Sequence, residues 1–208
     1  MNKKLTSAAL IGGILASVIY LEGDYSDDPD DPGGKTKYGI TERVAREYGY
    51  TGSMEDLTQE KANEIYTELY IKQPGFDRIL DLSPAVGHKL IDSGVNLGTM
   101  RIGRWFQELL NKYSLDGKSY PTIKIDGVVG EKTAIAYKNL EKARGKVKAC
   151  ELIIKGLDGY QATWYLSLNK YAKYTVGWID NRVGNVPLSQ CTEYNLSILN
   201  TGSHNENK

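Results

Sequence analysis

Two carboxylates and a hydroxyl in one short stretch are the residues of this chain best suited to catalysis. Glu22 directly follows an uncharged apolar segment, Leu5 to Leu21, and Asp31 and Thr36 lie in the turn-rich stretch after it. If that segment is helical, Glu22 lies at its C-terminal end, where the helix dipole favours the neutral carboxyl. Glycoside hydrolysis pairs such an acid, which protonates the leaving oxygen, with a second carboxylate that activates or orients water.

The acidic stretch after Glu22 also has two other interpretations. Asp27, Asp28, Asp30 and Asp31 can form an ordinary solvated turn on the surface. A calcium loop is the second, but the Asp-x-Asp-x-Asp-Gly spacing of such loops is missing. We therefore predict no metal and no cofactor.

The apolar segment must position Glu22, and its length is borderline for a membrane span. As a helix it would cover roughly 26 Å, against about 30 Å of bilayer hydrocarbon, and its paired glycines lower helix propensity. Lys3 and Lys4 precede it, which would leave the N-terminus in the cytoplasm. A cleaved signal peptide, a permanent anchor and a buried first helix each leave one feature unexplained. The remaining hypothesis is a membrane anchor that later becomes the first helix of the domain.

Composition narrows the class of protein further. The net charge is zero at pH 7 and the chain is 40% hydrophobic, which indicates a globular domain without the basic surface of a nucleic-acid-binding protein. Cys150 and Cys191 follow no metal spacing, so a disulfide in an oxidising compartment and two inert thiols both stay open.

Apolar periodicity predicts helices over most of the remaining chain. Thr41 and Thr58 are typical N-caps, and Gly49 is a stop signal. A stripe containing Trp105 and Phe106 predicts a core-facing helix over 99–113, residues 112–130 are predicted to form an extended loop with a short hairpin, and 131–140 and 147–171 are predicted to be helical. His88 is expected to be structural, since no metal-binding partner lies nearby in sequence.

Four stretches of the sequence match motifs of one known family. They are Glu22-Gly23-Asp24-Tyr25 with the 28–34 run and Tyr38-Gly39-Ile40-Thr41, then Asp92-Ser93-Gly94-Val95-Asn96-Leu97-Gly98, Asp126-Gly127-Val128-Val129-Gly130 with Thr133, and Gly177-Trp178-Ile179-Asp180-Asn181-Arg182-Val183. Over about residues 20 to 185 the chain resembles glycoside hydrolase family 108, lysozyme-like N-acetylmuramidases of phage lysins and bacterial secretion-activator proteins. The weak apolar segment joined to the catalytic loop is similar to the signal-arrest-release endolysins of phages.

This resemblance implies roles for individual residues. Glu22 matches the family's catalytic glutamate. Asp31 and Thr36 occupy places similar to those of the Asp and Thr in the Glu-Asp-Thr constellation of phage-type lysozymes, with an Asp-to-Thr spacing one residue shorter. Asp24 replaces a glycine of the family pattern, and if it faces Glu22 it would raise the pKa of the general acid. The residues predicted to bind substrate are Tyr25, Tyr38, Asn96, Trp178 and Arg182.

Together these arguments predict a mainly α, lysozyme-like fold with a small β-hairpin after the catalytic helix. The predicted parts are the releasable segment 1–21, a catalytic part 22–98, a helical part 99–186 with the peptidoglycan-binding motif, and a polar tail 187–208. We expect a monomeric endolysin that cleaves the β-1,4 bond between N-acetylmuramic acid and N-acetylglucosamine, binds no nucleic acid, and moves from the host inner membrane to the periplasm. A lytic transglycosylase and a non-catalytic, membrane-tethered wall-binding module are the alternatives.

Overall fold

The computed structural model describes residues 7–20, 25–26 and 35–193, so Glu22, Asp24 and Asp31 lie outside the described residues. The chain divides into two compact units, Met1–Gln73 with Leu196–Lys208 and Pro74–Asn195. The boundary predicted at residue 98 lies inside the second unit. The fold is mainly α with a small antiparallel sheet, which confirms the predicted lysozyme-like class.

Helix α1, Ser7–Tyr20, lies within the apolar segment and packs against a later helix of the first unit. Leu10, Ile14 and Leu15 are buried on one side of α1, whereas Gly12 and Ala16 are exposed. Their spacing of four and five residues places the buried side chains on one helical face. None of the helices in the described ranges has both the length and the hydropathy to cross a bilayer.

A three-stranded antiparallel sheet follows α1 in the first unit. Its strands are β1 (Tyr25–Ser26), β2 (Thr36–Lys37) and β3 (Ile40–Thr41), in that spatial order. Tyr38 and Gly39 connect β2 to β3 and both have positive φ, 52° and 72°. Two consecutive positive φ angles are typical of the two-residue turn that matches strand twist in a hairpin. This is the small hairpin that the sequence predicts.

The helices of the first unit begin and end where the capping residues predict. Helix α2, Glu42–Tyr48, is capped by the Thr41 hydroxyl, which accepts from the backbone N–H of Val44 at 3.3 Å, and ends at Gly49 with φ 97°. Helix α3, Gln59–Tyr66, is capped in the same way by Thr58 and continues into a π-helical segment, Thr67–Lys72. Side-chain caps satisfy N–H groups that the first helical turn leaves unpaired.

The second unit is a helical bundle around α5. Its helices are α4 (Asp77–Leu80), α5 (Pro84–Leu97), α6 (Thr99–Tyr113), α7 (Glu131–Arg144), α8 (Lys146–Ser167) and α9 (Ala172–Arg182). Every residue from Ala85 to Gly94 is buried, which makes α5 the central helix. Residues 115–130 form an extended loop in which no strand is described, so the hairpin predicted there is wrong.

The helix predicted over 147–171 is shorter in the structure. Helix α8 ends at Ser167, and a short 3-10 helix, Asn169–Tyr171, leads into α9. Leu168 leaves the helical conformation, with φ −86° and ψ 66°. No glycine or proline marks this break, which is why the sequence pattern predicts a continuous helix through it.

A buried network of charges holds α5, α8 and the end of α9 together. The fully buried ammonium of Lys89 lies 2.6 Å from an Asp158 carboxylate oxygen and donates to the Asn185 side-chain oxygen at 2.9 Å. Asp92, one turn later on α5, accepts from Arg182 at 3.1 Å and from Asn185 at 2.8 Å. Because buried charges are costly unless they are paired, these contacts specify how the helices pack.

Cys150 of α8 and Cys191 form a disulfide with a Cα–Cα distance of 5.7 Å. Cys191 ends a 3-10 helix, Leu188–Cys191, which the bridge ties to the centre of the second unit. Of the two possibilities that the sequence leaves open, the structure contains the disulfide.

His88 on α5 is also buried, and burial lowers its pKa to about 4, so the imidazole is neutral at pH 7.

Candidate functional site

The sheet of the first unit brings together three of the predicted site residues. Tyr25 of β1 pairs with Lys37 of β2, and Thr36 is its neighbour on that strand. The Tyr38 carbonyl in the following turn accepts from the Tyr66 hydroxyl at 3.2 Å, which fixes the hairpin on α3. Tyr25 follows Glu22 by three residues and Thr36 follows Asp31 by five, so in the chain β1 comes shortly after Glu22, and Asp31 lies between β1 and β2.

Glu55 is an additional residue of this site that sequence reasoning misses. One of its carboxylate oxygens accepts from the Tyr25 hydroxyl at 2.9 Å and from the Lys35 ammonium at 2.8 Å. The other accepts from the Ser53 hydroxyl at 2.7 Å. Tyr25 and Lys35 stand on opposite sides of residues 27–34, which include Asp31. The Glu55 carboxylate therefore joins Tyr25 and Lys35, the residues on either side of this stretch in the chain. We call this set of contacts the Glu55 clamp.

We expect this clamp to weaken at acid pH. The Lys35 ammonium, with the Ser53 and Tyr25 hydroxyls, lowers the pKa of Glu55 from 4.5 to about 2. A carboxyl with a lowered pKa in the fold stabilises the protein above pH 4.5, and that contribution is lost as the pH falls from 4.5 toward 2. The thermal midpoint of Glu55→Gln should therefore lie below that of the wild type at pH 6, and the two midpoints should converge near pH 2. A gap that stays constant across this range would contradict the assignment.

The remaining predicted site residues lie in the second unit. The Asn96 amide donates to the Asp92 carbonyl on α5 at 2.8 Å, and the Arg182 guanidinium pairs with the Asp92 carboxylate. The Arg182 side chain is only 12% exposed, so its charge serves the packing of α9 against α5. Trp178 is half-buried among tyrosine rings. That Asn96, Arg182 and Trp178 bind substrate stays a prediction.

The Asp126 to Thr133 motif, which suggests peptidoglycan binding, has its polar groups hydrogen-bonded within the second unit. The buried Gln107 amide of α6 donates to Asp126 at 2.9 Å and to Thr133 at 3.2 Å, and its oxygen accepts from the Gly127 N–H at 2.8 Å. The Gln107 amide, together with the backbone N–H of Val128, lowers the pKa of Asp126. At Gly103 of α6 an added Cβ would lie 1.9 Å from the Gly127 carbonyl oxygen, so only glycine fits. The polar groups of this motif therefore anchor the 115–130 loop.

All three tryptophans of the chain lie in the second unit and keep part of their surface in solvent. Trp105, predicted to belong to the core, is instead half-buried, with its ring stacked 5.3 Å from that of Tyr160. The Arg101 guanidinium lies 3.9 Å from the centre of the Trp164 ring. Half-exposed indoles beside polar groups are typical of surfaces that bind ligands with both apolar and polar faces.

A groove of about 450 Å³ lies on the first unit and contains none of the predicted site residues. Its walls are Tyr48, Glu60, Asn63, Glu64, Thr67, Glu68 and Lys72. In the described ranges, no three His, Cys, Asp or Glu side chains are grouped so that they could hold a metal ion.

Comparison with known proteins divides the chain into two matched segments. Residues 15–98 match the family model described as glycosyl hydrolase 108, and residues 102–183 match that of a predicted peptidoglycan domain. The structure of SagA from Brucella abortus is 27% identical, with a TM-score of 0.65 over 89% of this chain and 95% of SagA. No functionally curated protein gives a significant match.

The lysozyme-like fold and the hydrolase match define this protein as a glycoside hydrolase. More narrowly, the match of residues 15–98 to the glycosyl hydrolase 108 model supports a lysozyme-like cell-wall hydrolase, and the match of residues 102–183 to a predicted peptidoglycan domain supports peptidoglycan as its substrate.

Proposed function

We propose that this hydrolase is an N-acetylmuramidase that cleaves the β-1,4 bond between N-acetylmuramic acid and N-acetylglucosamine. The observation that carries the proposal is the match of residues 15–98 to the glycosyl hydrolase 108 model, a range that contains Glu22, the general acid predicted from the sequence motif. Glu22 protonates the glycosidic oxygen as the bond breaks. Asp31 supports the cationic transition state or positions water, and Thr36 holds that water.

The geometry of the first unit supports a positioned acid. Helix α1 ends at Tyr20, two residues before Glu22, and three of its side chains are buried in the fold. Glu55 binds Tyr25, which precedes the acidic stretch in the chain, and Lys35, which follows it. A general acid must lie within hydrogen-bond reach of the leaving oxygen, so both ends of the stretch need a rigid support.

Product analysis tests the bond that is cleaved. Digestion of purified sacculi should release fragments with a reducing N-acetylmuramic acid end, visible by mass spectrometry after borohydride reduction. Anhydromuramic acid ends would instead identify a lytic transglycosylase, which needs one glutamate and not Asp31. If no soluble fragment is released, the result would favour the third alternative, a wall-binding module without catalytic activity.

We further propose that the protein is a phage endolysin that is silent while residues 5–21 hold it in the host inner membrane. The segment is weakly apolar and contiguous with Glu22, so one event controls both the position and the activity of the acid. The domain would then lie in the periplasm, and release of the segment would form α1, place Glu22 and lead to host cell lysis. The disulfide supports an oxidising compartment.

Gly12→Leu should delay lysis. Position 12 is exposed in the fold, with no atom within 4 Å of an added Cβ, so the change leaves α1 intact while it strengthens membrane insertion. Membrane fractionation and the time to lysis measure the effect. Gly12→Ser is the matched control and should lyse on time. Release of Gly12→Leu with normal timing would argue against the membrane stage while leaving the hydrolase untouched.

A further inference from the structure

Helix α9 presents an apolar surface that the fold does not use. None of its residues is buried, although only the break at Leu168 and a short 3-10 helix separate it from the core helix α8. Tyr174 and Val176 of α9 are 48% and 79% exposed, and Tyr171, at the end of the preceding 3-10 helix, is 50% exposed. An exposed cluster of large apolar side chains gains nothing from folding, so it indicates a surface that contacts a partner.

The rings of this surface are organised around Trp178. Tyr174 is stacked on the indole at 5.8 Å with an interplanar angle of 30°, and Tyr171 lies 6.2 Å from it. On the inner side, the buried ring of Tyr165 lies 5.4 Å from Trp178 and joins it to α8. The indole is thus held from beneath, and two tyrosine rings extend it toward solvent.

We propose that Tyr171, Tyr174 and Trp178 form an aromatic platform that binds the glycan strand of peptidoglycan. The apolar faces of pyranose rings suit flat aromatic surfaces with polar edges, which tyrosine hydroxyls provide. Lys170 and Lys173 are exposed beside the rings, and the Lys173 ammonium lies 4.7 Å from the centre of Tyr174. Their charges complement the carboxylates of the stem peptides.

Two observations favour a glycan over a membrane surface as the partner. The segment matched to the peptidoglycan domain, 102–183, includes the whole platform, whereas the polar groups of the Asp126 to Thr133 motif are engaged inside the fold. The exposed surface is also built from neighbouring ring faces more than from aliphatic side chains. This proposal depends on the proposed function for one point only, which is that the bound polymer is peptidoglycan.

Sedimentation with purified sacculi tests the platform in the full-length protein carrying Glu22→Gln, which limits digestion. Tyr171→Ala with Tyr174→Ala should weaken binding by roughly tenfold to a hundredfold, the loss expected for two stacked rings. Tyr171→Phe with Tyr174→Phe should restore it, because the ring faces remain. Ile135→Ala removes an equally exposed apolar side chain from α7 and should change nothing.

Charge reversal provides a second measurement that leaves the rings in place. Lys170→Glu with Lys173→Glu should weaken sacculus binding and make it less sensitive to salt. Unchanged binding by both double variants would overturn the platform. So would tyrosine-dependent binding to vesicles of anionic phospholipid without any effect on sacculi, which would identify a membrane surface. Tyrosine-dependent sacculus binding, together with no cleavage of sacculi by the protein that retains Glu22, would support the platform and reject the proposed function.

Discussion

Replacing Glu22 with glutamine is expected to lower the rate of peptidoglycan hydrolysis by about a hundredfold to ten-thousandfold, the range for loss of a general acid. Glutamine is nearly the same size and can still accept hydrogen bonds, but it has no carboxyl proton to give to the leaving oxygen. Helix α1 should be unaffected, since it ends at Tyr20, two residues before Glu22. Turbidity clearing of sacculus suspensions and release of reducing ends measure the loss.

The control for this variant is another glutamate of the same unit. Glu47 is exposed on α2, where it pairs with Arg43 at 2.9 Å, and Glu47→Gln should clear sacculi at the wild-type rate. The Glu22→Gln protein should also still sediment with sacculi, because binding and proton transfer use different residues. Clearing by Glu22→Gln at more than about a tenth of the wild-type rate would remove Glu22 from the mechanism and direct attention to other carboxylates of the first unit.

Removing the disulfide should produce the largest loss of stability. The bridge joins residues 41 positions apart, and closing a loop of that length restricts the unfolded chain by about 4 kcal/mol in the chain-entropy account. Cys150→Ala with Cys191→Ala should therefore lower the free energy of unfolding by that amount and the thermal midpoint by roughly 10 °C. Alanine suits position 150, which is 2% exposed, better than serine, whose hydroxyl would be buried.

Treatment with reductant distinguishes the effect of the disulfide bond from the effect of replacing the cysteine side chains. Dithiothreitol should lower the midpoint of the wild-type protein toward that of the double alanine variant, and it should leave the variant unchanged. Equal midpoints of the two proteins without reductant would show that the link between α8 and the 188–191 segment contributes little to stability. Near-equal activity at low temperature is expected, since neither cysteine lies among the predicted site residues.

The helices and their ends are the part of the fold that could be predicted from sequence. Thr41 and Thr58 cap helices within three residues of themselves, and Gly49 ends one with the positive φ that glycine favours. Such interactions involve neighbours along the chain, so the order of residue types is enough to specify them. The break at Leu168 was missed because no local signal marks it.

Contacts between distant residues required the tertiary structure. Arg182 pairs with Asp92 across 90 positions, and Lys89 reaches Asn185 across 96. The sequence shows two motifs that contain Asp92 and Arg182, but only packing shows that the two motifs meet in an ion pair. Likewise, Gln107 has no recognisable motif of its own, yet it organises the Asp126 to Thr133 stretch.

For the candidate site, the sequence by itself determined which residues are predicted to be catalytic, and the tertiary structure decided which contacts support them. Glu22, Asp31 and Thr36 are predicted from residue type, spacing and family resemblance, because proton transfer requires particular side chains. Glu55 acts through its contacts with Tyr25 and Lys35, which lie 30 and 20 positions away. Only the folded chain brings those three residues together. Because Glu55 acts through tertiary contacts, the residues next to it in the sequence do not reveal its role.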